Sequence, residues 1–416
     1  MIRRRDLSVP REVGAAPLRG GAQIAVAVGV MNVTTYGYTI LAARQLGPGG
    51  YGGFAAVMNL LLVISVISLA LQATAARRIS AEGEHVAQIE ASVLRTSRLS
   101  AWAVGGALLV LAPVVDRLLR LDDLRVAVLV AAAAVPLTLM GGQSGVLQGE
   151  RRWSALGAVY VAGGVPRLAI GAALLAWHPS ELVAVSAVAV AALAPVTVGW
   201  WALRRGRPPG PAADHHGARA ILRESLLNSQ ALLAFFALSN LDLVVARNVL
   251  DPHASGLYAA GLILTKAMLF LPQFVVVLAF PTMALGRHGR ALALGSLVIG
   301  GLGGMGVLVC WQLPGLAQAF IGGGEFAGIR EELWAFALLG TVLAVLQLLV
   351  YSVLAHEGRG RSLLLWAALV VMLAVGATAE TAGGLVARVI VVDVLLLLAL
   401  LAGRLLTRPA PAAVAP

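Results

Sequence analysis

The chain has 416 residues, 59% hydrophobic and only 12% charged, with a mean hydropathy of +0.87. That composition excludes a soluble globular domain. The net charge is +11, yet the apolar stretches leave no basic soluble face for a nucleic acid, and anionic membrane lipids are the expected partner.

Residues 1–19 form a polar tail with Arg3, Arg4, Arg5, Arg11 and Arg19. The apolar run behind it is too long for a signal-peptide core and has no clear cleavage site, so it is expected to stay as the first spanning helix. From there, apolar stretches near the ~20 residues needed to cross a bilayer alternate with short polar connections. The pattern predicts an all-α polytopic protein of twelve spans: about 20–43, 51–76, 98–115, 125–148, 155–176, 181–203, 226–246, 257–284, 291–313, 332–355, 362–378 and 385–403. They divide into a six-helix lobe at 20–203 and another at 226–404, with a cytoplasmic tail at 405–416. The Pro-rich, polar segment 204–225, with Arg204, Arg205, Arg207, Pro208, Pro209 and Pro211, is the expected cytoplasmic linker. The other long inner segment, Arg77–Arg98, fits either a short amphipathic surface helix or a solvated turn. Pro136, Pro166, Pro195, Pro272 and Pro281 fall inside spans, where each removes a backbone hydrogen bond and kinks the helix.

One corner of the chain occurs twice. Ala43, Arg44, Leu46, Pro48, Gly52, Phe54, Ala55 and Ala56 return in order as Ala246, Arg247, Leu250, Pro252, Gly256, Tyr258, Ala259 and Ala260. One residue is inserted between the Arg and the Leu, and from the Pro onward the spacing is identical. Val146, Leu147, Glu150 and Arg152 likewise return as Val353, Leu354, Glu357 and Arg359. Two halves on one plan are a hallmark of transporters, and an even number of helices per repeat places the pseudo-twofold axis along the membrane normal. Orientation follows from the cations. With the N-terminus inside, the inner segments hold 22 of the 31 Lys and Arg and the outer segments six. Both termini are therefore expected in the cytoplasm.

Catalytic signatures are sparse. The seven His show no metal-ligand spacing, no Gly-rich phosphate loop opens a helix, and Cys310 is a lone cysteine in a span. Asp122-Asp123 is an acidic pair facing outside, but it lies between Arg120 and Arg125 and reads as a solvated loop rather than a metal site. No cofactor, metal or enzymatic activity is expected. The remaining three cations, Arg167, Lys266 and Arg388, lie within spans, as do Asp242 and Asp393. A charge at a helix centre costs ~2.5–3.5 kcal/mol on insertion scales, so such groups face a polar interior. Arg388, Asp242 and Arg247 lie near enough to an interface to snorkel, whereas Arg167 and Lys266 are deeper. Two cations from different lobes suit an anionic substrate such as a phosphate.

The run Asn240-Leu241-Asp242-Leu243, then Arg247, then Gly256-Leu257-Tyr258-Ala259-Ala260 resembles the start of the second lobe in the Wzx-type polysaccharide (O-antigen/oligosaccharide) flippases. These belong to the multidrug/oligosaccharidyl-lipid/polysaccharide exporter superfamily. Ala43-Arg44-Gln45-Leu46-Gly47-Pro48, followed by Tyr51-Gly52 and Phe54, is similar to that family's helix 1–2 turn, and Leu271-Pro272 and Phe280-Pro281 fit its helix 8. The resemblance implies a V-shaped, two-lobed bundle that moves lipid-linked glycans outward across the bacterial cytoplasmic membrane by ion-coupled alternating access. A polysaccharide polymerase or glycosyltransferases are the protein partners it implies. The chain departs from drug-exporting relatives in lacking any acidic residue between Gly20 and Arg44, which leaves Asp242 and Asp393 as coupling candidates. An isoprenoid diphosphate would meet Arg167 and Lys266, with Arg388, Arg44 and Arg247 as further candidates. The rivals are a peptidoglycan-precursor flippase, a cation-coupled small-molecule exporter and, from another class, an integral membrane glycosyltransferase or polysaccharide polymerase. Those enzymes usually need a large outer loop, and none is present.

Overall fold

The computed structural model describes residues 16–204, 217–269, 288–354 and 359–406, and among them there is no strand. The tail before Ala16, most of the linker (205–216), Leu271-Pro272, Phe280-Pro281 and Glu357 lie outside the described residues. Eight described helices are long and apolar enough to cross a bilayer, nine when the bent pair Gly83–Val110 and Ala112–Leu119 counts as one span. The count falls below the expected twelve for identifiable reasons. The first span, Gly20–Ala81, is 62 residues long, and Pro252–Met268 and Ser362–Gly376 fall short as described.

In the first half, α1 (Ala16–Ala81) contains the single non-helical residue Gly47, with φ 62° and ψ 178°. That left-handed φ suits a residue without Cβ, and Pro48 then starts the second arm with its φ already set. The break is a reversal. Sixteen residues of straight helix span ~24 Å, yet the rings of Tyr38 and Phe54 on the two arms are 5.7 Å apart, edge to face. After a short 3₁₀ turn at Gly83–His85 the chain continues as α2 (Val86–Val110) and, bent by 65°, as the eight-residue α3 (Ala112–Leu119). Segment 77–98 holds no separate surface helix: the flanking helices extend into it from both sides, and the turn between them is only a few residues, Glu82–His85. Next come α4 (Leu124–Gly149), α5 (Trp153–Trp177), α6 (Glu181–Ala191) and α7 (Leu193–Leu203). Pro136 and Pro166 lie inside α4 and α5, and Pro195 lies just past the break between α6 and α7.

The end of the expected linker is a helix, α8 (Ala218–Asn228), packed on α1 and α2 of the first half. Glu224 ion-pairs with Arg77 and, at 2.5 Å, with Arg78, and Ser225 Oγ donates to Thr74 Oγ1 at 3.1 Å. There follow α9 (Gln230–Leu238), α10 (Asp242–Val249), α11 (Pro252–Met268), α12 (His288–Gln312), α13 (Pro314–Ile321), α14 (Leu333–Leu354), α15 (Arg359–Gly376) and α16 (Ala382–Leu406). The repeat is visible in details beyond the corners. The eight-residue α13, with Pro in its first turn, takes the chain place of α3, which also has Pro in its first turn. Ser180 Oγ caps α6 by accepting from Val183 N, and Thr381 Oγ1 accepts from Gly384 N at the start of α16.

The two corners meet. A Cβ at Gly256 would collide with the Pro48 carbonyl, and one at Gly52 would stand 3.3 Å from Gly256 Cα. Glycine at 256 is therefore a packing requirement, since it lets the backbones of the two halves touch. The largest buried cluster surrounds this point and includes Tyr38, Tyr51, Phe54, Phe235, Tyr258, Phe326 and Phe336 from both halves. Tyr51 and Phe326 stack edge to face across the halves at 6.3 Å. Elsewhere the surface is apolar. Trp177 and Trp311 are exposed near the corner end, and Trp200 and Trp201 near the linker end, the disposition of aromatic belts at two membrane interfaces. The protein is an all-α, multi-pass membrane protein built of two related halves.

Candidate functional site

The polar centre of the second half forms where one spanning helix breaks. Between α9 and α10, Asn240 Nδ2 donates to Phe236 O at 2.7 Å and to Ser239 Oγ at 3.0 Å, diverting the local hydrogen bonding and leaving Ser239 O and Asn240 Oδ1 to face α11. Lys266, near the end of α11, donates to Ser239 O at 2.6 Å and Asn240 Oδ1 at 2.8 Å. One turn on, the buried Asp242 accepts from Tyr258 Oη through Oδ2 at 2.8 Å. Its Oδ1 has no partner, and its charge interacts with Lys266. Asp393 on α16 is fully buried, has no partner at either carboxylate oxygen, and interacts electrostatically with Asp242 and Tyr258. The first half reaches this cluster through Asn59, whose Nδ2 donates to Asn240 O at 3.4 Å.

Three of the seven candidates, Lys266, Asp242 and Asp393, are thus brought together. With both carboxyls ionised the cluster holds two negative charges against one positive, and three carboxylate oxygens lack donors. Unpaired charge in a dry interior is expensive, so the cluster has the chemistry of a site for one proton or small cation. Among the described residues no group of His, Cys, Asp or Glu has the arrangement of a preformed multidentate metal centre.

The other four candidates are elsewhere. Arg167 on α5 is half-buried beside Tyr38, and its Nε has no partner. Arg388 on α16 is also half-buried and has Nη1 unpartnered. Arg44 and Arg247 are at the corners and reach across to the opposite half. Arg44 Nη2 donates to Ala319 O at 2.9 Å, and Arg247 donates from Nε to Leu119 O at 2.9 Å and from Nη2 to Arg120 O. Arg247 is buried, and the opposite charges that act on it are Glu181 and Asp122. The neighbouring Asp123 caps α4 through Arg125 N at 2.8 Å. The hydrogen bond from the Arg125 side chain holds its carboxyl below the usual carboxylate range.

Sequence reasoning missed Ser239 and Asn240 as the groups that hold Lys266, and Tyr258 as the donor to Asp242. A signal was present: Tyr258 is the one polar member of the second corner's Gly-aromatic-Ala-Ala run, where the first copy has Phe54. Glu181, buried against Gly53 near Arg247, was also missed, because a helix-capping acid at a loop edge looks ordinary in a sequence.

Among solved structures, the chain resembles a multidrug-resistance MATE family transporter of the MOP superfamily in an inward-facing conformation, at 16% identity and TM-score 0.63. The match covers 97% of this chain and 99% of that one. The eukaryotic MATE transporter AtDTX14 is matched at 12% identity and TM-score 0.67, and a MOP superfamily transporter from Pyrococcus furiosus at 17% and 0.62. Each of these two matches covers 94% of this chain and 96% of the other. At such identities the likeness establishes the fold. No curated protein sequence matches. The profile of a family described as "Polysaccharide biosynthesis protein" matches residues 18–285, well over half the chain. With well over half of its length matched, the chain belongs to the polysaccharide biosynthesis protein family.

Proposed function

We propose that the protein is a flippase that moves an isoprenoid diphosphate-linked oligosaccharide across the bacterial cytoplasmic membrane for surface polysaccharide synthesis. The observation that carries this reading is the membrane-embedded charge set in a chain of the polysaccharide biosynthesis family. Lys266 is held by two neutral oxygens, and Arg167 and Arg388 keep unpartnered nitrogens within spanning helices. These three cations suit a diphosphate, which accepts charge-assisted hydrogen bonds. Asp242 and Asp393 supply the coupling: a cation or proton taken up there changes the charge beside Lys266 and so its readiness to hold an anion. The lipid tail trails into the bilayer between the halves. Twelve spans result when both arms of α1, the bent α2–α3 pair, α11 and α15 are counted. The corner end then faces outward, with both termini cytoplasmic.

The second reading, a cation-coupled small-molecule exporter, is favoured by the likeness to multidrug MATE structures. It is weakened by the first arm of α1, which has no acid between Gly20 and Arg44.

Two measurements test the proposal. Deleting the gene should remove one surface polymer and accumulate its lipid-linked precursor in the inner leaflet. Complementation by the Arg167→Ala and Lys266→Ala variants should restore less polymer at near-normal protein abundance. Normal polymer in the deletion strain would refute the function, and full export by the double variant would refute the site. For topology, reporter fusions after Arg205 and Arg404 should read cytoplasmic and one near Glu325 external; an external reading after Arg205 would break the six-plus-six plan.

A further inference from the structure

The corner arginines are placed for a different task from the cations of the spans. Arg44 leaves the first half and ends on Ala319 O, in the last turn of α13 in the second half. Arg247 leaves the second half and ends on Leu119 O and Arg120 O, at the last turn and cap of α3 in the first half. The two contacts are the same contact made twice, once in each direction. Each uses the repeated Arg of one half and the short helix that ends the third span of the other.

The chemistry of the two ends is complementary. The last carbonyls of a helix have no intrahelical donor and carry the negative end of its dipole, so a guanidinium there satisfies them and is itself stabilised. Arg120, the C-cap of α3, is in the left-handed region at φ 47°, which turns the chain at the point where Arg247 docks. The Arg247 contact is reinforced in the same direction. Asn248 Nδ2 donates to Leu118 O at 2.8 Å, and Arg120 Nη2 donates back to Asn248 O at 3.0 Å. Glu181 and Asp122 compensate the charge of the buried guanidinium without an ion pair to either.

Three features make this a joint that opens rather than permanent mortar. The bonds are side chain to carbonyl, so separation leaves groups that water can satisfy. α3 and α13 are each set off from the span before them, at Leu111 and Leu313, and can move as short levers. Beneath the bonds, Gly52 and Gly256 bring the two halves to backbone contact, so the surfaces at the closest point are smooth. From this geometry we infer that Arg44 and Arg247 form a reciprocal clasp that holds the corner end of the molecule shut, and that releasing both arms opens it. This gives the repeat of the Arg a physical reason, because closure across a pseudo-twofold axis needs one arm from each side. The inference rests on the transport reading, in which one end must close while the other is open.

The test uses the full chain in isolated membranes, in a Cys310→Ser background with a single reporter, Ser255→Cys. Ser255 is buried next to Gly256 where the halves meet. Labelling by a water-soluble maleimide reports opening without requiring any substrate. Arg44 is exposed, so Arg44→Ala should leave abundance unchanged; Arg247→Lys keeps the buried charge but replaces the planar fork that spans Leu119 O and Arg120 O with a shorter point charge. Each should raise the labelling rate by roughly tenfold, the effect of ~1.4 kcal/mol on a closed-to-open equilibrium. Arg95→Ala, exposed on α2 at the other end, should not. An unchanged rate in Arg44→Ala at normal abundance overturns the clasp, whatever Arg247→Lys does. A faster rate supports it even if the deletion strain makes normal polymer, in which case only the assigned cargo falls.

Discussion

The two halves share a corner but not what they keep behind it. In each, the aromatic residue six after the corner Pro packs against a group sixteen residues earlier, back around the reversal. In the first half that group is Tyr38, and it meets Phe54 ring edge to ring face. In the second it is Asp242, which accepts a hydrogen bond from Tyr258 at 2.8 Å. Tyr38 spends its hydroxyl inside its own half, on Ala184 O at 2.7 Å, so that pair is complete. Asp242 retains a bare oxygen, and Asp393 beside it has two. One architecture, duplicated, thus provides a closed packing unit on one side and a site with an unmet demand for positive charge on the other. Duplication supplies the scaffold, and divergence, at this pair and at Lys266 and Asp393 around it, supplies the chemistry.

The most severe way to break this comparison is to remove the demand. Asp242→Asn keeps the shape and a hydrogen-bond acceptor for Tyr258 but deletes the charge that answers Lys266 and would attract a coupling ion. In the proposed flippase, export scored as surface polymer per unit of membrane protein should fall roughly tenfold or more, since each 1.4 kcal/mol lost from a coupled step is a factor of ten. Wild-type export in this variant would remove Asp242 from the cycle and leave Asp393 as the single coupling acid.

How much of this contrast was legible beforehand depended on the kind of signal. Hydropathy marks spans well because every spanning helix must satisfy its own backbone in lipid. It cannot mark where a helix continues past the bilayer, which is why 77–98 and the end of the linker were placed in connections although both are helical, with Glu224 pinned to Arg77 and Arg78. Asp242, Lys266 and Asp393 stood out singly because charges are rare in spans. Their assembly did not, since it depends on Ser239 and Asn240 at a helix break, and a break of this kind carries no Pro or Gly to announce it. The corner arginines were legible as a repeat, but one half of the sequence cannot show that each reaches into the other.

A milder test removes only the donor. Tyr258→Phe makes the second half resemble the first at that position, leaving Asp242 Oδ2 without its hydrogen bond. Stranding a buried acceptor costs about 1–3 kcal/mol in general, so export should drop several-fold, and the ion concentration or pH giving half-maximal export should shift with it. A drop in export with no shift in ion dependence would mean that Tyr258 supports packing, through its edge contact with Phe336 at 5.2 Å, and not the coupling site.

The matching substitution in the first half should have the smallest effect, and it is the one that sharpens the comparison most. Tyr38→Phe loses the hydrogen bond to Ala184 O but retains the edge-to-face contact with Phe54. Hydrogen bonds between membrane helices are worth on average ~0.6 kcal/mol and at most ~1.7, so detergent-solubilised protein should lose a few degrees of thermal stability at most. The Ala184 carbonyl lies inside α6 and keeps its helical partner, so nothing buried is left wholly unsatisfied. Because Tyr38 faces no carboxyl with bare oxygens, the ion dependence of export should stay at the wild-type value. The informative complication is Arg167 on α5, which lies beside Tyr38. If Tyr38→Phe lowers export with no change in ion dependence, Tyr38 is positioning Arg167 for the proposed anionic cargo, and the Arg167→Ala, Tyr38→Phe double variant should then be no worse than Arg167→Ala alone. A shift in ion dependence would erase the distinction between the halves, and coupling would have to be sought in both.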